Sequence, residues 1–120
     1  MDQDITEMQF IEMLQQGLKV FHRICLEDAS LKGWDLSSLT FTECLFSIDF
    51  SGSNLESTQF IDCNLKTCFF TNCILTHAVF IGNSLDATDF SGAQLDGITF
   101  KDYTYHSIVL TDSHLAEMII

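Results

Sequence analysis

The sequence predicts an all-β solenoid, in which the chain winds into stacked four-sided coils behind an α-helix that covers the first coil. Three observations predict this fold. An apolar or aromatic residue recurs at every fifth position from residue 50 to residue 120. A second series of mostly small residues runs two positions before the first, and the residues upstream of 29 follow a helical spacing instead.

The five-residue spacing requires a corner in every unit. In a helix the fifth residue turns away from the first, and in a strand every odd spacing changes the face. The large positions are Phe50, Leu55, Phe60, Leu65, Phe70, Leu75, Phe80, Leu85, Phe90, Leu95, Phe100, Tyr105, Leu110, Leu115 and Ile120. The small residue two positions earlier points to the same side. Each unit therefore supplies one large and one small inward residue before the chain turns.

Phenylalanine and leucine alternate strictly between Phe50 and Phe100. Like stacks on like only if a coil holds an even number of units, and two units cannot enclose a core. Four units, or about 20 residues, close a square with phenylalanine on two opposite sides.

The same pattern continues upstream out of phase, through Leu31, Leu36, Phe41 and Phe46. One residue is missing between Phe46 and Phe50, so we expect an irregular corner there. The bulky Trp34 and Leu39 occupy small positions and predict a wider or partly open first coil. About four and a half coils result.

The first residues are expected to form a capping helix. Met8, Ile11, Leu14, Leu18, Phe21 and Cys25 recur at intervals of three or four residues, which is one face of a helix. Asp4 followed by Glu7 resembles a capping box, which predicts a helix from Ile5 to about Ile24. The chain then divides into a cap and lead-in at 1–28 and a single solenoid domain at 29–120.

Several stretches now resemble a known family, the pentapeptide-repeat proteins. They are SNLES (53–57), CNLKT (63–67), TDFSG (88–92) and AQLDG (93–97). The resemblance covers about three quarters of the chain and implies a right-handed quadrilateral β-helix. Many members of this family are interaction proteins without catalysis, so the resemblance supports architecture more directly than activity.

The residues argue against an enzyme, a metal site and a cofactor. The cysteines show no CxxC pairing, and Cys44, Cys63, Cys68 and Cys73 fall in the small inward series, where buried reduced thiols are expected. Cys44 and Cys63 stack on neighbouring coils at a separation that permits a disulfide, and whether one forms stays open. The histidines are dispersed over the surface, and carboxylates two coils apart lie on open walls without a cleft that excludes water.

Charge excludes some partners. The 17 acidic and 5 basic residues give a formal net charge of −12, which disfavours direct nucleic-acid binding because phosphate contacts need lysine and arginine. No stretch approaches the roughly 18 apolar residues of a membrane span. The acidic amino terminus differs from a secretory signal, so we expect a cytoplasmic protein.

Two roles follow from the surface. One is a DNA mimic, because the resemblance includes a branch that imitates duplex DNA and binds a type II topoisomerase, gyrase. Its phosphate-like charges would be Asp49, Glu56, Asp86, Asp89 and Asp96. The other interpretation of the acidity is that it keeps a repetitive β protein soluble and protects its edges.

The leading hypothesis is a scaffold that binds another protein, of unknown identity, through its solenoid surface. Apolar residues stand where the repeat has polar outward ones, at Ile61, Phe69, Ile74, Val79 and Ile81, and they predict a contact belt. The alternative is that these side chains bend at corners or pack under the helix.

The last coil predicts a homodimer. Apolar residues at Leu115, Met118, Ile119 and Ile120 would leave an open β edge with the core behind it. An uncovered edge invites pairing, so we expect a two-fold, end-to-end dimer through this coil.

Overall fold

The chain forms a four-sided parallel β-solenoid of about five turns with one short helix, in a computed structural model that describes residues 3–105. The helix is α1 (Glu7–Gln15). The strands are β1 (Gln3–Asp4), β2 (Val20–His22), β3 (Ile24–Ser30), β4 (Thr40–Thr42), β5 (Leu45–Asp49), β6 (Gln59–Ile61), β7 (Val79–Ile81) and β8 (Thr99–Lys101). They form two parallel sheets, in the orders β1-β3-β5 and β2-β4-β6-β7-β8.

The strand register confirms the 20-residue circuit. Gln59 pairs with Val79 and Val79 pairs with Thr99, each one coil and 20 residues further on. One circuit is shorter, because Thr40 pairs with Gln59 after 19 residues. The missing residue lies where it was expected. Strand β5 runs straight through 45–49, and its register with β3 shifts between Glu27 and Ala29.

We number the four walls in the order in which the chain follows them. The inward residues of wall 1 are Phe21, Phe41, Phe60, Phe80 and Phe100, those of wall 2 are Leu26, Phe46, Leu65 and Leu85, those of wall 3 are Leu31, Phe50, Phe70 and Phe90, and those of wall 4 are Leu36, Leu55, Leu75 and Leu95. From Phe50 onward phenylalanine occupies two opposite walls and leucine the other two, which confirms the predicted square.

Aromatic rings fill the bore. Along wall 3 the ring of Phe70 stacks on Phe50 at 5.2 Å and on Phe90 at 5.0 Å between centroids. Across the bore it meets Phe80 of wall 1 edge-on at 5.6 Å. Both arrangements place ring edges and faces favourably, so the two aromatic columns stabilise each other as well as themselves.

The small inward series is buried, including its polar members. The Asn83 amide accepts a hydrogen bond from the N–H of Cys63 at 2.8 Å and donates one to the carbonyl of Phe60 at 3.0 Å. The Thr58 hydroxyl donates to the carbonyl of Leu36 at 2.7 Å. Because each polar group has a partner, burying it costs little.

The helix expectation was wrong in its length and its cap. Helix α1 ends at Gln15 rather than near Ile24, and its capping box joins Thr6 to Gln9 rather than Asp4 to Glu7. Gly17 follows the helix with φ of +86°, a conformation that favours glycine and breaks the helix. Asp4 lies in β1, which pairs with β3.

The residues after the helix belong to the solenoid. Strands β2 and β3 pair with β4 and β5, so residues that were assigned to the cap and lead-in build most of an additional coil. The solenoid therefore has about five coils rather than four and a half. The helix still caps the bore, because the ring of Phe10 contacts Phe21 at 5.1 Å and Phe41 at 6.2 Å.

The first complete coil accommodates its two bulky residues. Leu39 is buried in the core, whereas Trp34 is half-buried at its corner and packs against the core from outside. Within residues 3–105 no helix combines the length and the apolar character that crossing a membrane requires.

Candidate protein-docking surface

The outer face of wall 1 is a flat ladder of short parallel strands. Its two outward columns are Val20, Thr40, Gln59, Val79 and Thr99, and His22, Thr42, Ile61, Ile81 and Lys101. Most of these side chains are uncharged and β-branched, and neither column holds an acidic residue. On a protein with a net charge of −12 this near-neutral face is unusual.

The local sequence explains why wall 1 carries regular strands. Its segments read Val-Phe-His, Thr-Phe-Thr, Gln-Phe-Ile, Val-Phe-Ile and Thr-Phe-Lys. Aromatic and β-branched residues favour extended backbone, and the alternation places each ring inward. On wall 4, where Asn, Asp and Gln replace the β-branched residues at several positions, the described pairings are isolated bridges.

The predicted belt is distributed over three walls. Ile61, Val79 and Ile81 lie together on wall 1, and Ile61 pairs directly with Ile81 as expected. Ile74 lies on wall 4, where it pairs with Asn54 and Gln94. Phe69, which is 48% exposed, lies on wall 3 and faces away from wall 1. A single partner surface can therefore contact the three wall 1 residues but not Phe69.

The acidic set is also dispersed. Asp49 and Asp89 lie on wall 3 with Phe69 between them. Glu56 and Asp96 lie on wall 4 and Asp86 on wall 2, as the backbone ladder shows.

Lysines contact two of these acids. Asp49 lies 3.4 Å from Lys32, and Asp86 lies 4.0 Å from Lys66. Partial burial opposes ionisation of Asp49, but hydrogen bonds from Ser51 and the Lys32 ammonium outweigh it and lower the pKa of that carboxyl group.

A second group of acids, which the sequence did not suggest, borders wall 1. Glu43, Asp62 and Asp102 are exposed at successive coils of the corner that follows the wall, and we call them the acidic rim. The N–H of Glu43 donates to the carbonyl of Ile61 at 2.9 Å, and that of Asp62 to the carbonyl of Ile81 at 2.8 Å. The position two residues after each wall 1 phenylalanine is the sequence signal for this rim.

The thiols are poorly suited to catalysis. Burial and the neighbouring carboxyl groups of Asp4 and Glu27 raise the pKa of the Cys25 thiol to about 12. It borders a cavity of about 270 Å³ that Asp4, Ile5 and Glu27 also line. A protonated thiol is a weak nucleophile, so this cavity lacks an activated group.

The remaining cysteines are free and buried in the bore. Contact with the Cys44 thiol, together with burial, raises the pKa of the Cys63 thiol above its usual value. Between residues 3 and 105 no three His, Cys, Asp or Glu side chains converge in a way that could hold a metal ion.

Comparison with known families agrees with this geometry. Residues 68–102 match the model for pentapeptide repeats in eight copies. The chain is a pentapeptide-repeat protein. No curated protein sequence matches it. The repeats that match form walls 1 to 4 of the coils that carry Ile74, Val79 and Ile81.

Solved structures share the pentapeptide-repeat fold. Rfr23, a pentapeptide-repeat protein from the cyanobacterium Cyanothece 51142, is 24% identical and superposes with a TM-score of 0.72 over 75% of this chain and 63% of its own. A trypsin-treated variant of QnrB1, described as a plasmid-mediated fluoroquinolone resistance protein, is 21% identical with a TM-score of 0.67 over 70% of this chain and 44% of its own. This chain thus spans less than two thirds of either protein, and the likeness concerns the fold.

The predicted dimer end falls beyond residue 105. Leu115, Met118, Ile119 and Ile120 lie outside the described residues. The two-fold, end-to-end dimer stays a prediction.

Proposed function

We propose that this chain is a non-catalytic interaction module that binds another protein on the outer face of wall 1. The observation that carries the proposal is the juxtaposition of Ile61, Val79 and Ile81 in two adjacent rungs of the five-stranded ladder. Isolated apolar residues are common on protein surfaces, but contiguous ones on a flat face are typical of contact sites.

Rigidity supports the same role. Each outward residue of wall 1 is adjacent in sequence to a buried phenylalanine that is locked in the aromatic column, so the face is held in one shape before binding. A preorganised surface loses little conformational entropy on association. Five rungs at about 4.8 Å make the face roughly 20 Å tall, which suits a small, transient interface rather than an obligate one.

A DNA mimic is the second candidate. The net charge of −12 and the fold that it shares with QnrB1 favour this role. The placement of the acids opposes it, because they lie on three walls and lysines contact Asp49 and Asp86. Imitation of a DNA strand calls for a continuous series of charges at phosphate spacing.

A capture experiment with matched variants tests the docking proposal. Proteins cross-linked to the native chain are identified, produced separately, and titrated against three forms of it. Changing Ile61→Ser together with Ile81→Ser removes the apolar pad and should weaken binding by about 30-fold, since burial of each side chain contributes about 1–2 kcal/mol.

The matched control is Phe69→Ser on the opposite wall, which should bind like the native chain. Equal loss in the two variants would place the contact elsewhere. No loss in the wall 1 variant would refute docking on this face.

Gyrase supercoiling assays test the alternative. We expect micromolar concentrations of this chain to leave the supercoiling of relaxed plasmid unchanged. Strong inhibition or protection that disappears in the Asp89→Asn, Asp96→Asn double variant would establish the mimic instead. The ionic strength dependence adds a second criterion, because charge imitation weakens steeply with salt.

A further inference from the structure

We propose that the partner presents a basic amphipathic helix to wall 1, with apolar residues on Ile61, Val79 and Ile81 and with lysines or arginines against the acidic rim. This inference rests on the proposed function and specifies the chemistry of its partner. It follows from the combination of one apolar face and one charged border.

The shape of wall 1 selects a helix that lies along the solenoid axis. Three-residue strands make the face only about 10 Å wide, whereas its five rungs extend about 20 Å. An α-helix is about 10 Å in diameter and rises 1.5 Å per residue, so about 13 residues cover the face. No unpaired strand edge opens onto this face, because within residues 3–105 the inner strands β4, β6 and β7 have ladder neighbours on both sides.

The apolar contact lies near the middle of the face. Ile61 and Ile81 are paired on adjacent rungs, and Val79 stands one column away on the same strand as Ile81. Thr42 and Thr99 extend the uncharged area to either side. One apolar stripe of a helix, with residues at intervals of three and four, can cover such a pad.

Charge lies on one border of the pad. The acidic rim follows wall 1, with Glu43, Asp62 and Asp102 at equivalent corner positions of different coils. Arg23 occupies the same position at the first coil, so the border changes sign at its N-terminal end.

The corner that precedes wall 1 is different in charge. Its equivalent positions are Ser38, Ser57, His77 and Gly97. A partner helix should therefore carry its basic residues on one flank of the apolar stripe rather than on both.

The geometry of the corner fixes the rim carboxylates. Asp62 adopts φ of +53° and its backbone N–H is bonded, so its side chain leaves the corner in a constant direction. A Cβ at Gly82 on the next coil would overlap Oδ1 of Asp62. Glycine there leaves room for the carboxylate, which extends over the following rung and spreads the negative charge along the border.

Neighbouring cations modify the rim without cancelling it. Nε2 of His22 lies 3.5 Å from Glu43, and its Nδ1 is 2.7 Å from the Thr42 hydroxyl. Lys101 occupies the outward column beside Asp102. Ion pairs at exposed positions contribute about 0.2–1 kcal/mol each. Three rim contacts should therefore change the affinity by about 10-fold, and the apolar pad should supply most of the remainder.

Synthetic peptides provide the test. The probe is a 14-residue helical peptide with a leucine stripe and lysines along one flank. Its matched control has glutamate in place of every lysine, and binding to the full chain is followed by fluorescence anisotropy. We expect the lysine peptide to bind at least about 10-fold more tightly than the glutamate peptide, with the difference shrinking at high salt.

Rim variants locate the effect. Glu43→Gln with Asp62→Asn should reduce binding of the lysine peptide to near the level of the glutamate peptide, and asparagine tolerates the left-handed backbone at 62. The control pair Asp89→Asn with Asp96→Asn changes the net charge equally on walls 3 and 4 and should leave binding unchanged. Equal binding of both peptides, no binding of either, or equal effects of the two variant pairs would overturn the inference.

The two proposals fail in different ways. If both peptides bind alike and Ile61→Ser with Ile81→Ser abolishes both interactions, wall 1 still docks helices and only the basic character is wrong. If the captured partner of the previous section binds independently of wall 1, the docking function itself fails.

Discussion

The Phe80→Ala substitution should destabilise the protein by about 4 kcal/mol. Phe80 is fully buried, and its ring stacks on Phe60 at 4.9 Å and on Phe100 at 5.1 Å. It also meets Phe70 at 5.6 Å and Phe90 at 6.0 Å edge-on from the opposite wall.

The magnitude follows from these contacts. Truncation of a buried phenylalanine costs about 3–5 kcal/mol, and the cost depends on how far the surroundings collapse into the cavity. Backbone ladders above and below hold the neighbouring rungs at fixed spacing, so little collapse is possible. We therefore expect the middle to upper part of that range.

Equilibrium unfolding in urea measures the effect, with circular dichroism as the signal and the m value as a check that the same surface is exposed. The control is Phe69→Ala, which removes the same ring from an exposed outward position and should cost less than about 1 kcal/mol. A loss below about 1.5 kcal/mol for Phe80→Ala, or equal losses for the two variants, would refute a bore that is supported by aromatic columns.

Three further predictions concern the corners, the polar core and the thiols. Asn83→Leu should cost about 2–3 kcal/mol in urea unfolding, because two buried backbone groups lose their partner; a neutral effect would contradict that role. Gly52→Ala should cost about 1 kcal/mol from its positive φ alone, and Gly82→Ala should cost more because the methyl group also displaces a carboxylate; equal costs would contradict that close approach. Cys25, with its raised pKa, should resist iodoacetamide at pH 8 in the folded protein and react after unfolding, as mass spectrometry would show; rapid labelling of the folded chain would contradict a protonated thiol.

The repeat made most of the fold predictable. Each five-residue unit specifies its own corner and its own inward residue, so local pattern and overall register coincide. The missing residue after Phe46 was legible for the same reason, and it appears as the 19-residue circuit from Thr40 to Gln59.

The helix was overextended because two periods overlapped. Leu18, Phe21 and Cys25 continue the helical spacing of Met8, Ile11 and Leu14, but Phe21 is also an inward position of wall 1. Tertiary stacking on Phe41 decided the conformation, and Gly17 separated the two segments.

The site was predictable only in part. The sequence identified Ile61, Val79 and Ile81, yet grouped them with Phe69, which a coil of four walls places on the opposite side. The acidic rim was missed because Glu43 and Asp62 are separated by the short circuit, so a search at multiples of 20 does not align them.

Methyl NMR tests docking on wall 1 most directly. With isoleucine δ1 methyl groups labelled, the captured partner is titrated into the protein and each resonance is followed. We predict that the signals of Ile61 and Ile81 shift or broaden, while that of Ile74 on wall 4 stays in place. Changes at Ile74 with unaltered signals from Ile61 and Ile81 would contradict the docking surface assigned to wall 1.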